Sequence, residues 1–107
     1  MNETNLMQLV RLRASQLGVT LYRNNTGKLQ TKDGRWVNFG LCVGSSDLVG
    51  YCKVRGIAQF VALEIKLPGK KPTPEQAHFL DMVNKAGGIG AVITDPAQLE
   101  KIFVDTV

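Results

Sequence analysis

Leu6, Leu9, Val10 and Leu17 recur at helical spacing near the start of the chain, with Arg11 and Arg13 between them and Gly18 directly after. That period predicts an amphipathic helix over residues 3–17, ended by a glycine suited to the left-handed turn at a helix C-terminus. Residues 19–23 then read as a strand, and NNTG (24–27) is turn chemistry. Asp33-Gly34, set between KLQTK and RWVNF, predicts a hairpin. A loop of small residues, GLCVGSS, separates this part from two further strands over 47–54 and 57–66, the second dense in β-branched and aromatic residues. Thr73-Pro74-Glu75-Gln76 has the form of a capping box with proline at the first helical position, so a helix is expected from there to about residue 86, where Gly87-Gly88 stops it. IGAVIT (89–94) reads as a buried strand, and Asp95-Pro96 opens a last short helix. The order α-β-β-β-β-β-α-β-α, with hairpins early and one crossover late, predicts an α/β fold. Its mixed central β-sheet is flanked by helices rather than doubly wound. No repeat or linker divides residues 1–107, which are expected to form one domain.

Alternation along a strand gives the second half of the chain its chemistry. Residues i and i+2 share a face, so Phe60, Ala62, Glu64 and Lys66 point one way and Val61, Leu63 and Ile65 the other. A turn centred on Arg55-Gly56 places Asp47 across from Glu64, with Cβ atoms only ~5 Å apart in an antiparallel pair. Two carboxylates that close repel unless a cation lies between them or one takes a proton. Magnesium is held by one or two carboxylates together with waters and a substrate phosphate, so Asp47 and Glu64 are candidate ligands and the Ile65 carbonyl a further one. Lys66, emerging beside Glu64, is placed to orient the attacking water or to neutralise charge developing on phosphorus. A metal-dependent phosphodiesterase needs this combination, although an E-x-K by itself also describes a surface ion pair at a strand end.

Composition permits such a partner without requiring it. Hydrophobic residues at 44% and charged ones at 21% are ordinary for a globular chain. The formal net charge of +4 suits a polyanion. Basic residues collect in RLR (11–13), KVR (53–55) and KLPGKK (66–71), and form one phosphate-facing surface only if the fold brings them together. No apolar run approaches the ~20 residues of a membrane span, and MNETNLMQLV lacks the pattern of a signal peptide, so an intracellular, cytoplasmic setting is expected. Cys42 and Cys52 fit that compartment as thiols, since two cysteines alone do not complete a zinc site.

SSD (45–47), LEIK (63–66) and PGKKPTPEQ (68–76), in this order and at these spacings, resemble the VRR-NUC branch of the PD-(D/E)XK nucleases. The likeness extends to YRNNTG (22–27) and the GG-containing turn, and covers the chain from about residue 3 to 94. It implies a restriction-endonuclease-like core and a Mg2+- or Mn2+-dependent endonuclease acting on DNA. Asp47 and Glu64 would be metal ligands, Lys66 the catalytic lysine, Gln76 a polar partner of the site and Glu3 an extra metal contact from the first helix. Ser46-Asp47 stands where the superfamily's name has proline-aspartate, a change this branch tolerates. Minimal members act as homodimers on branched or junction DNA, often in phage or mobile-element settings, so the resemblance implies those partners here. The alternative is a nucleic-acid-binding module that keeps the fold without chemistry, which would have no need of the Asp47, Glu64 and Lys66 set.

Several positions carry two explanations. Gln76 completes a capping box with Thr73 as readily as it serves a site. Glu3 suits the positive end of a helix dipole as well as a metal. Arg23, Asn24 and Asn25 are candidate phosphate contacts, yet asparagine is also the ordinary residue of a turn. Arg55, Lys70 and Lys71 are candidate contacts to backbone phosphates rather than readers of sequence. His78 is expected to face solvent rather than act as a base.

Overall fold

The structure, a computed structural model, describes residues 1–104. Its elements follow the expected order: α1 (Glu3–Gln16), β1 (Thr20–Arg23), β2 (Gly27–Gln30), β3 (Trp36–Phe39), β4 (Leu48–Val54), β5 (Ile57–Ile65), α2 (Pro74–Lys85), β6 (Ile89–Ile93) and α3 (Gln98–Ile102). Four strands form the main sheet in the order β1-β4-β5-β6. β1 and β5 run antiparallel to β4, and β6 runs parallel to β5. A parallel neighbour needs a crossover, and α2 supplies it. The architecture is a mixed α/β sheet flanked by helices.

α1 starts where the Asn2 side chain accepts the Asn5 N–H at 2.8 Å, and ends at Leu17, before Gly18 at φ 81°. It buries Leu6, Val10 and Ala14, a stripe of i, i+4 steps. Leu9, expected on that face from its spacing, is instead 42% exposed. One residue of offset turns it about 100° away from the stripe, which continues instead through the small, fully buried Ala14. Val61, Leu63 and Ile65 meet this helix together with Leu48, Cys52, Ile93, Leu99 and Phe103. Burying each of the larger aliphatics stabilises the fold by roughly 1.5–3 kcal/mol.

The other face of the sheet is only half covered. α2 packs Leu80 and Val83 on Ala62, with Phe79 and Val92 beside them, so it lies over β5 and β6. Tyr22 on β1 and Tyr51 on β4 stay exposed on the same face. β6 departs from the fully buried strand expected, because it is an edge and of its residues only Ile93 is buried.

The Asp33-Gly34 hairpin forms as expected, but outside the main sheet. β2 and β3 pair only with each other, and all eight of their residues are exposed. The arm lengthens the molecule, whose 14.7 Å radius of gyration exceeds the about 13 Å usual for a compact chain of this length.

Candidate active site

The β4–β5 turn sets the site at the opposite end of the hairpin. Val54 pairs with Ile57, so the turn has two residues, Arg55 at φ 52° and Gly56 at φ 82°. Two positive φ values define the tight turn whose twist matches the flanking strands. Counting back from it, Leu48 pairs with Leu63, and the next positions along are Asp47 and Glu64. Asp47 lies just outside β4 and is tied to the chain on either side of it. Asp47 Oδ2 accepts the Ile65 N–H at 2.9 Å, and its carbonyl accepts the Asn24 N–H at 2.7 Å.

Glu64 is 1% exposed, so it is no surface partner of Lys66. Its Oε2 is buried without a hydrogen-bond partner. Burial first, and then Asp47 as hydrogen-bond partner and as like charge, pushes the Glu64 carboxyl up to about 9, against the opposing pull of the Lys66 ammonium. At neutral pH the Glu64 carboxyl therefore keeps its proton. Such a buried, underpartnered carboxyl is costly unless a ligand or ion completes it.

The loop over residues 40–46 positions Asp47, and Asn24 organises the loop. The Asn24 amide donates through Nδ2 to Ser45 Oγ at 2.8 Å and to the Ser46 carbonyl at 2.9 Å, and Oδ1 accepts the Leu41 N–H at 3.3 Å. Ser45 Oγ–H donates to the Cys42 carbonyl at 2.7 Å, and Ser46 Oγ–H to the Leu48 carbonyl at 2.9 Å. Gly44, at φ 82°, lets the loop rest on α2, where a Cβ would stand 2.7 Å from atoms of Glu75. The Asn24 side chain thus holds the loop, the turn role that the sequence offered beside a phosphate contact. The roles of Ser45 and Ser46 were missed, and hydroxyls beside a turn were the available signal.

The other expected site residues divide between the two ends of the sheet. Lys66, half-buried, follows directly on β5, and its N–H donates to the Ile93 carbonyl at 3.0 Å. The Ile65 N–H turns to the opposite edge, toward Asp47, and in an extended strand the Ile65 carbonyl leaves on that same edge. Gln76 completes the capping box: its Oε1 accepts the Thr73 N–H at 2.8 Å while Thr73 Oγ1 accepts the Gln76 N–H at 3.2 Å. Glu3 is exposed on the first turn of α1. Among the described residues no group of three or more His, Cys, Asp or Glu is arranged around a common ion position. His78 is exposed on α2, as expected.

The three basic clusters do not merge into one surface. Lys70 and Lys71 are exposed on the β5–α2 loop, at the carboxylate end. Arg55 caps the far end of the hairpin, about 25 Å along the strands from Asp47. Arg23 stands opposite Leu48, so its side chain starts from the face away from Glu64. Arg13 pairs with Glu100 and stitches α1 to α3. Cys42 is exposed and Cys52 buried, and no disulfide joins them.

Neither a protein-family model nor a curated protein nor a solved structure matches this chain. No helix among the described residues is long and apolar enough to cross a membrane.

Proposed function

We propose that the protein is a metal-dependent endonuclease of restriction-endonuclease-like architecture, hydrolysing DNA phosphodiester bonds, as its resemblance to the VRR-NUC nucleases implies. The observation that carries this is the buried, underpartnered Glu64 carboxylate set against Asp47 at the end of β5, with Lys66 two residues on. Two facing carboxylates, one with an orphaned oxygen, fit a hard divalent cation, Mg2+ or Mn2+. Asp47 and Glu64 would hold it, with the Ile65 carbonyl on the same edge. When bound, such an ion supplies Lewis acidity toward the scissile phosphodiester and the attacking water.

The chain's own groups do the rest. To serve as a ligand, Glu64 would release its proton to solvent, because a coordinating carboxylate must be ionised. Asp47 stays oriented through the Ile65 N–H, which fixes Oδ2 and with it the carboxylate plane. The Lys66 ammonium stabilises negative charge as it grows on the phosphoryl oxygens. Lys70 and Lys71 stand at the same end, where they can engage neighbouring phosphates. One site per chain suggests a two-fold homodimer for paired cuts on branched DNA.

Incubation with linear, flap and four-way-junction DNA, with and without Mn2+, tests the proposal, with Glu64→Gln as control. Cation-dependent cleavage absent from the variant is expected. Equal cleavage by both proteins, or none by the wild type on any substrate, would overturn it.

A further inference from the structure

The face of the sheet that carries Glu64 is open over β1 and β4. Register places Tyr22 beside Val49, Tyr51 beside Phe60 and Lys53 beside Ala58, and Asp47 and Glu64 extend the same two rows. α2 covers this face only over β5 and β6. Tyr22 is 56%, Tyr51 49% and Phe60 44% exposed. The two tyrosine rings lie 6.4 Å apart at 45° to each other, so neither hides the other's face. Tyr51 lies four residue steps from Asp47, and Phe60 four from Glu64, which sets the aromatic group about 13 Å from the carboxylates along the strands.

Charge separates the possible occupants. On this face the ionisable residues besides the tyrosines are Lys53 and, at one end, the carboxylate pair Asp47 and Glu64, while Arg55 stands at the turn at the other end and Arg23 starts from the opposite face. Lysine is depleted from the centres of protein–protein interfaces, yet Lys53 projects from this face beside the aromatics. Exposed aromatics beside basic side chains form the surface on which unpaired bases stack while the cations follow the backbone. Bases within a duplex have no free face to offer such a platform.

We infer that this open face binds a single-stranded nucleic-acid segment running into the Asp47–Glu64 pair, its bases stacked on Tyr22, Tyr51 and Phe60. The inference rests on the nuclease proposal for its direction and deepens it: the substrate carries unpaired nucleotides beside the bond that is cut.

The test is fluorescence anisotropy of labelled oligothymidylate and of a blunt duplex, in EDTA so that nothing is cleaved. The double variant Tyr22→Ala/Tyr51→Ala should lose roughly 10-fold or more in affinity for the oligothymidylate. Its duplex binding should hold, and Tyr22→Phe/Tyr51→Phe should bind as wild type because the ring faces remain. Unchanged oligothymidylate affinity, an equal loss on duplex, or a phenylalanine variant as weak as alanine would each overturn the inference. So would a shift from dimer to monomer in sedimentation with oligothymidylate binding intact, which would assign the face to a second copy of the chain. If the double variant does not fold, Tyr51→Ala alone and Lys53→Glu carry the comparison, and both must weaken oligothymidylate binding. Cleavage does not enter the readout. Tight single-strand binding without any cutting would therefore sink the nuclease proposal alone, and cutting without it would sink this inference alone.

Discussion

Asn24 and Asp47 are joined through the backbone, the Asn24 N–H reaching the Asp47 carbonyl at 2.7 Å, while the Asn24 side chain closes the loop that delivers Asp47 to Glu64. β1 therefore reaches the site through this loop, without supplying a ligand.

Replacing Asn24 by alanine removes three side-chain hydrogen bonds and leaves loop groups unpaired. A stability loss of about 1–3 kcal/mol is expected in urea unfolding, with weaker Mn2+ binding in calorimetry as Asp47 loses its position. A phosphate-contacting Asn24 would behave differently. It would change the salt dependence of DNA binding and leave Mn2+ affinity alone.

The raised Glu64 carboxyl makes the metal-free protein sensitive to pH. Its ordinary value of 4.5 applies to the unfolded chain and about 9 to the folded one. Between these the folded state keeps a proton that the unfolded state releases. The stability is complete below the lower value and is lost as pH rises toward the upper, with a slope of up to about 1.4 kcal/mol per pH unit. Urea unfolding across this window should show the decline, and Glu64→Gln should flatten it. Mn2+ binding near neutral pH should release about one proton, read from calorimetry in buffers of different ionisation enthalpy. Binding with no proton release would show that Glu64 is already ionised.

Lys66→Ala separates ion binding from chemistry. Both carboxylates remain, so Mn2+ should still bind, while the cleavage rate should fall on the order of 100-fold with the loss of one placed positive charge. A wild-type rate from this variant in a nicking assay would remove Lys66 from the site.

Arg55 and the Lys70-Lys71 pair should part company when replaced. Arg55 occupies a left-handed turn position that favours asparagine or glycine, so Arg55→Asn should raise stability by roughly 0.5–1 kcal/mol in thermal or urea unfolding. Lys70→Ala and Lys71→Ala should leave stability unchanged and each lower the salt slope of DNA binding by about one. A salt slope altered by Arg55→Asn but by neither lysine would place the DNA at the far end of the sheet.

Local chemistry was legible in the sequence wherever it was decided within a few residues. The capping box at Thr73 and Gln76, the turn at Arg55-Gly56 and the glycine stops are such cases. The two-residue turn also determined the register, because period-two alternation leaves no slack once the turn is placed, and so Asp47 could be set against Glu64 before any coordinates. What pairing patterns leave undetermined, only the tertiary structure decided. Whether the Asp33-Gly34 hairpin joined the main sheet depended on which strand edge it met. How deeply Glu64 is buried was likewise left to the tertiary structure, since strand alternation sets its face but not what covers it. The spread of KVR and KLPGKK to opposite ends of one hairpin follows from strand length, since residues close along the chain are carried apart at about 3.3 Å for each residue of extended backbone. The loop partners of Asn24 were hidden for the same kind of reason: a turn asparagine shows its backbone preference in sequence, but the partners of its amide lie about twenty residues away and are brought to it only by the fold.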